Sequence, residues 1–94
     1  MPYLLVRHKV ADFSNWKPIF DEHEPTRANA GSQGGLLFRS VDDPNEVFVL
    51  LEWDAQSRAR EFAQSEDLRQ AMDRAGVLGP PDVYFMDIVE RLPA

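Results

Sequence analysis

An α+β domain with the element order β-α-β-β-α-β is predicted by three observations. Apolar residues alternate along Tyr3–Val10 and again along Glu46–Trp53, the period of two that marks strands. The stripe Phe13, Trp16, Ile19, Phe20, His23 recurs at spacings of three and four, the period of a helix. The turn cluster Asp42-Asp43-Pro44-Asn45 falls between two strand-like runs, which makes a hairpin. That order is the ferredoxin-like, split β-α-β arrangement: one antiparallel four-stranded sheet with two helices on one face. The first and third strands are expected to be adjacent, central and parallel.

Taken in order, Tyr3–Val10 forms the first strand, with Leu4, Val6, His8 and Val10 on one face. Asp12 or Ser14 caps the first helix. Pro18 is acceptable there only within a first turn, and Pro25 kinks or ends the helix near Glu24. Gly31 and Gly34-Gly35 mark the exit, and Leu36–Val41 reads as the second strand. Asp54 is placed to cap a helix carrying Ala55, Ala59, Phe62 and Ala63. Ser65 is placed to cap a second segment with Leu68, Ala71, Met72 and Ala75, closed by Gly76. The last strand is expected over Val83–Leu92.

Composition narrows the function. Residues 1–94 suffice for one domain, and a core this small gains from a partner. There is no cysteine, hence no disulfide and no thiolate chemistry. Sixteen acidic against ten basic residues give a net charge of −6, which disfavours nucleic acid and anionic membranes as partners. The Tyr3–Val6 run is too short for a leader, and no segment reaches the ~20 apolar residues of a spanning helix, so a soluble, cytoplasmic protein is expected.

The faces of the strands point to a homodimer. Leu4, Val6, Val10, Leu36, Phe38, Val47, Val49, Leu51 and Trp53 are assigned to the face beneath the helices. The other face mixes Tyr3, Leu5, Leu37, Phe48 and Leu50 with Arg7, Arg39 and Glu52. A sheet apolar on both sides needs covering twice, and a second copy of the chain supplies the missing cover. Charges in such an interface, Arg7 and Glu52 among them, then have to be paired.

The chain resembles the dimeric α+β barrel superfamily, and within it the antibiotic-biosynthesis-monooxygenase-like proteins. The resemblance is carried by Val10-Ala11-Asp12-Phe13 with Trp16, by Glu52-Trp53-Asp54, and by Ala59, Phe62, Ser65 and Leu68. It implies a dimeric barrel fold and activities ranging from cofactor-independent oxygenases through haem degradation to cyclases and isomerases, together with members of no known activity. Many such proteins carry a His in the helix after the Trp-containing strand, where this chain has Glu61-Phe62.

The residues themselves nominate a site. His8 lies on the apolar face of its strand and His23 continues the apolar helix stripe, so either can act as an acid or base in a pocket. Each has an ordinary structural reading as well: a hydrogen-bonded core His for His8, a helix-end cap for His23. Trp16, Trp53 and Tyr84 suit the walls of a flat aromatic site, and Ser40 adds a polar group. No metal site is expected, because His23 has no His, Asp or Glu three or four positions away. Phosphate loops and nucleophile elbows are missing, and no cofactor is expected. Two functions lead, with haem degradation, which the resemblance also implies, ranked below them because neither His is recognisable as an axial ligand. One is a cofactor-independent oxygenase, cyclase or isomerase on a small aromatic molecule. The other is a non-catalytic dimeric ligand-binding or accessory protein.

Overall fold

The side chain of Asp12 accepts a hydrogen bond from the Ser14 amide at 2.8 Å, and this cap starts the first helix. The computed structural model describes residues 1–94. In chain order it contains β1 (Pro2–Val10), α1 (Phe13–Glu22), α2 (Glu24–Ala30), β2 (Ser32–Arg39), β3 (Glu46–Trp53), α3 (Gln56–Ala63), α4 (Glu66–Ala75) and β4 (Val77–Asp87). The four strands make one antiparallel sheet in the order β2-β3-β1-β4. This is the ferredoxin-like α+β arrangement, with each crossover broken into two helices.

β1 and β3 are adjacent and central as expected, but they run antiparallel, with Val6 opposite Val49. The parallel expectation fails because the β2–β3 hairpin reverses the chain once more before β3 returns beside β1. Pro25 sits in the first turn of α2, where its missing N–H costs nothing, so the chain bends at His23 and restarts a helix. Pro18 lies inside α1 rather than in its first turn. It is on the solvent side, where the unpaired Ser14 carbonyl can meet water.

Three further boundaries differ from expectation. Ala55, not Asp54, caps α3, and the Asp54 carboxylate instead pairs with Arg58. Ser65 does cap α4, accepting from the Leu68 amide, and Gly76 ends it in the left-handed region at φ +80°. β4 begins at Val77 and includes Pro80 and Pro81, which an edge strand tolerates because it bonds only to β1. Residues 88–94 lie outside any regular element.

The second strand corrects the face assignment. Between Ser32 and Gly35, β2 carries one residue more than the β3 segment facing it, a bulge that inverts the pleat for everything after it. Leu36 pairs with Leu50 and Phe38 with Phe48, so both lie on the outer face, 59% and 48% exposed. Leu37 and Arg39 turn inward instead. Leu37 packs on the core, and the Arg39 guanidinium sits over the Phe13 ring. The core lies between the sheet and helices, around Leu4, Val6, Val47, Val49, Trp53 and Phe62. No helix is long and apolar enough to cross a membrane.

Candidate functional site

His8 is carried inward by the alternation of β1 and is 4% exposed. Neither of its ring nitrogens has a hydrogen-bond partner. A neutral imidazole offers one donor and one acceptor, and leaving such a group unsatisfied costs about 1–3 kcal/mol. Burial, helped by the Arg7 charge, lowers its pKa to about 4. His8 is therefore neutral at pH 7.

Helix α1 supplies the facing wall. Trp16 meets His8 edge to face, with ring centroids 5.6 Å apart, and stacks on Phe20 at 4.7 Å with planes 17° apart. The guanidinium of Arg27, from α2, covers the Phe20 ring at 3.9 Å and donates to the Phe20 carbonyl at 2.7 Å. His8, Trp16, Phe20 and Arg27 thus form one column, polar at both ends and aromatic between.

His23 has two roles. Its backbone closes α1 by donating to Ile19 and Phe20, while its Nε2 lies 3.0 Å from the Asp67 carboxylate of α4. An ionised carboxylate only accepts, so Nε2 carries the hydrogen. The ring also contacts Phe62.

His8, Trp16, Phe20, His23 and Arg27 line one cavity of about 60 Å³, closed further by Leu68, Met72 and Phe62. Twelve of its fifteen lining residues are hydrophobic, so water inside finds few partners. A larger groove of about 530 Å³ opens between α2 and the start of β2 and shares Phe20, Arg27, Val49 and Leu51 with the cavity wall. The three remaining residues nominated from sequence lie elsewhere. Trp53 is fully buried against Phe62 at the end of β3, outside the cavity lining, with its indole N–H unpaired. Ser40 follows β2, where its hydroxyl accepts from the Asp42 and Asp43 amides. Tyr84 is on the outer face of β4, opposite Leu5 and 54% exposed.

Arg27, Phe20 and Asp67 complete the site, and sequence reasoning had not nominated them. For Arg27 a signal existed: the spacing 16, 20, 23, 27 continues one helical stripe across Pro25. For Asp67, 44 residues from His23, there was none.

No protein-family model matches the chain, and no curated protein matches it. Solved structures do. A candidate antibiotic biosynthesis monooxygenase from Bordetella bronchiseptica superposes with a TM-score of 0.81 at 19% identity, covering 95% of this chain and 97% of that one. The chain has the fold of the antibiotic biosynthesis monooxygenase-like proteins. SnoaB of Streptomyces nogalater, described as a cofactor-independent oxygenase, superposes with a TM-score of 0.79 at 14% identity, covering 99% and 97%. A candidate antibiotic biosynthesis monooxygenase from Caulobacter crescentus CB15 gives 0.74 at 19%, covering 95% and 90%. Within this monooxygenase-like fold, the cavity described above lies between the sheet and the helices.

Proposed function

We propose that this protein is a cofactor-independent oxygenase, cyclase or isomerase that acts on a small aromatic molecule, with His8 as the general base. One observation carries the reading: a buried, neutral imidazole stands in an apolar cavity with both nitrogens free. A substrate able to form a stabilised carbanion or phenolate needs a base and a site shielded from water. At a pKa near 4 the free imidazole is a weak base. An anion forming beside it raises that value, because opposite charges within ~4–6 Å favour the charged form. Proton transfer thus becomes favourable only as the substrate ionises against the ring. In the oxygenase case the resulting anion then reacts with dioxygen. SnoaB, which shares the fold, is described as an oxygenase of this cofactor-independent type.

His23, held by Asp67, is the second acid–base group on the same cavity. Trp16 flanks the substrate edge. Trp53 supports this wall from behind, through Phe62, rather than touching the ligand. Ser40 and Tyr84 bind no ligand portion in this cavity.

The cavity's small size favours the alternative, a non-catalytic ligand-binding or accessory protein. About 60 Å³ is well below the roughly 300–1,000 Å³ of ordinary ligand pockets. The enzyme reading therefore places only the reacting edge of the substrate at His8, with its body in the adjoining groove. The test is oxygen uptake and product formation with a panel of polyphenols, for the wild type and for His8→Leu. Turnover that falls at least 100-fold in His8→Leu supports the base. Turnover unchanged in the variant removes His8 as the base, and no turnover with any compound supports the binding protein.

A second copy of the chain covers the outer sheet face in this reading. Leu5, Leu36, Phe38, Phe48, Leu50, Tyr84 and Met86 share that face. Its charged groups already have polar partners within the chain. Arg7 pairs with Glu46 and Asp82, and the Tyr3 hydroxyl donates to Glu52 at 2.7 Å. Arg7 and Glu46 can thus be buried as a pair, while the Glu52 carboxylate, held only by a neutral hydroxyl, belongs at the rim of such an interface or needs a cation from the second copy.

A further inference from the structure

Arg27 is the only formally charged side chain the fold buries, at 9% exposure. It makes no ion pair. Its one hydrogen bond runs to the Phe20 carbonyl, and its ring contact is with Phe20. A guanidinium has five N–H donors in a fixed fork, so most of its bonding capacity is unused inside the protein. Removing a cation from water without a counter-ion is expensive. None of its nitrogens is a sealed orphan, so the free donors open to the solvent side, where the group serves as a packing element, is hydrated, or is completed by a ligand anion.

The surroundings favour the ligand. Arg27 lines both the inner cavity that reaches His8 and the 530 Å³ groove between α2 and β2. The groove falls within the size range of small-molecule sites, which the inner cavity does not. Its floor is apolar at Leu37, Val49 and Leu51, and its rim is the β2 bulge, where the side-chain side of Gly34 is open space. A flat molecule lying in the groove would place an acidic group against the Arg27 fork. Its far edge would then reach past Phe20 toward Trp16 and His8.

We propose that Arg27 is a specificity-determining residue that binds a monoanionic group, a carboxylate or an enolate, of a small aromatic ligand held in this groove. This rests on the cavity being the ligand site and holds whether or not turnover follows. Glu24 lines the same groove and sets the charge limit. Its carboxylate and that of Asp21 both act on the guanidinium from beyond ion-pair contact, so a second negative charge on the ligand is repelled and a phosphate dianion is disfavoured. A planar carboxylate also matches the fork in two parallel hydrogen bonds, which a point cation cannot reproduce.

Calorimetric titration with matched pairs tests this: 1-naphthoate against 1-naphthamide, indole-3-carboxylate against its amide, and 1-naphthyl phosphate as the dianion. The expected wild-type result is a preference of roughly 10-fold or more for each acid over its amide, the range of a charge-assisted hydrogen bond. Naphthyl phosphate should bind more weakly than naphthoate. Arg27→Met should reduce the acid preference to about unity with amide affinity little changed. Arg27→Lys should retain part of it, and it serves as the informative variant if Arg27→Met does not fold. Equal binding of acid and amide by the wild type overturns the proposal. So does an equal loss of both in Arg27→Met, which is what a packing role predicts, and so does no binding by any probe. His8→Leu separates the two readings: it should abolish turnover yet leave the acid preference intact.

Discussion

The imidazole of His8 and the indole of Trp16 meet at 64° with their centroids 5.6 Å apart, β1 against α1. This contact stands in for the hydrogen bonds His8 lacks. An aromatic edge against an aromatic face contributes about 0.5–1.5 kcal/mol, which does not cover two unsatisfied ring nitrogens. The two unpaired nitrogens are therefore a local cost to stability, and that cost is a physical argument for His8 having a function.

Stability should depend on pH through His8. Its folded pKa of about 4 lies below the ~6.5 of an unfolded His, so between these values the unfolded chain binds the extra proton. Stability is complete above pH 6.5 and falls as the pH drops from there to 4, by roughly 3 kcal/mol at most. Urea denaturation at pH 7.5 and 4.5 should show the loss in the wild type and a smaller one in His8→Leu. If both proteins lose the same amount, the imidazole is not neutral in the fold. By the same reasoning the acid limb of kcat/KM should fall near pH 4 rather than 6.5.

Asp67→Asn tests the second imidazole. Asp67 is mostly exposed, so its bond to His23 is worth about 1 kcal/mol. The variant should unfold at slightly lower urea with an unchanged m-value, and the NMR shifts of the His23 ring should move. An unmoved ring would mean that Asp67 does not orient it.

The outer sheet face should hold two copies together. Light scattering at micromolar concentration is expected to give twice the chain mass. Leu50→Asp and Phe38→Asp, each placing a charge on this face, should give monomer or aggregate. A stable monomer in the wild type would sink the idea.

Gly35→Ala should be among the most damaging single substitutions. A Cβ at Gly35 would lie 1.8 Å from the Leu50 carbonyl oxygen, backbone against backbone, so the bulge must open. A loss of more than about 3 kcal/mol is expected from such a clash and strain. Gly34→Ala meets no neighbouring atom and should cost only its left-handed backbone strain, at φ +95°. Near-wild-type stability in Gly35→Ala would show that the β2–β3 register differs.

Local rules left clear marks in this sequence. The caps at Asp12 and Ser65 and the left-handed stop at Gly76 are each decided within a few residues of chain. The inward alternation of β1 and β3 was readable for the same reason, because neither strand carries an extra residue; the register shift beside Arg7 and Lys9 falls on the β4 side. One extra residue before Gly35 was enough to defeat the same reasoning in β2. A pleat has a period of two, so a single insertion sends Leu36 and Phe38 to the opposite face. Nothing in a list of side chains shows an insertion that only the partner strand makes visible.

The site divides along the same line. By itself the sequence determined that His8 points into the core and that Trp16, Phe20 and His23 share a helical face, since periodicity is a property of one segment. Only the tertiary structure decided that His23 meets Asp67, that Tyr84 lies on the outer face and Ser40 in a turn, and that Trp53 backs Phe62 instead of lining the cavity. It also decided that Arg27 is buried with no carboxylate in ion-pair contact. Those outcomes depend on which elements pack together across long stretches of chain, and on the volume left between them, which no local pattern encodes.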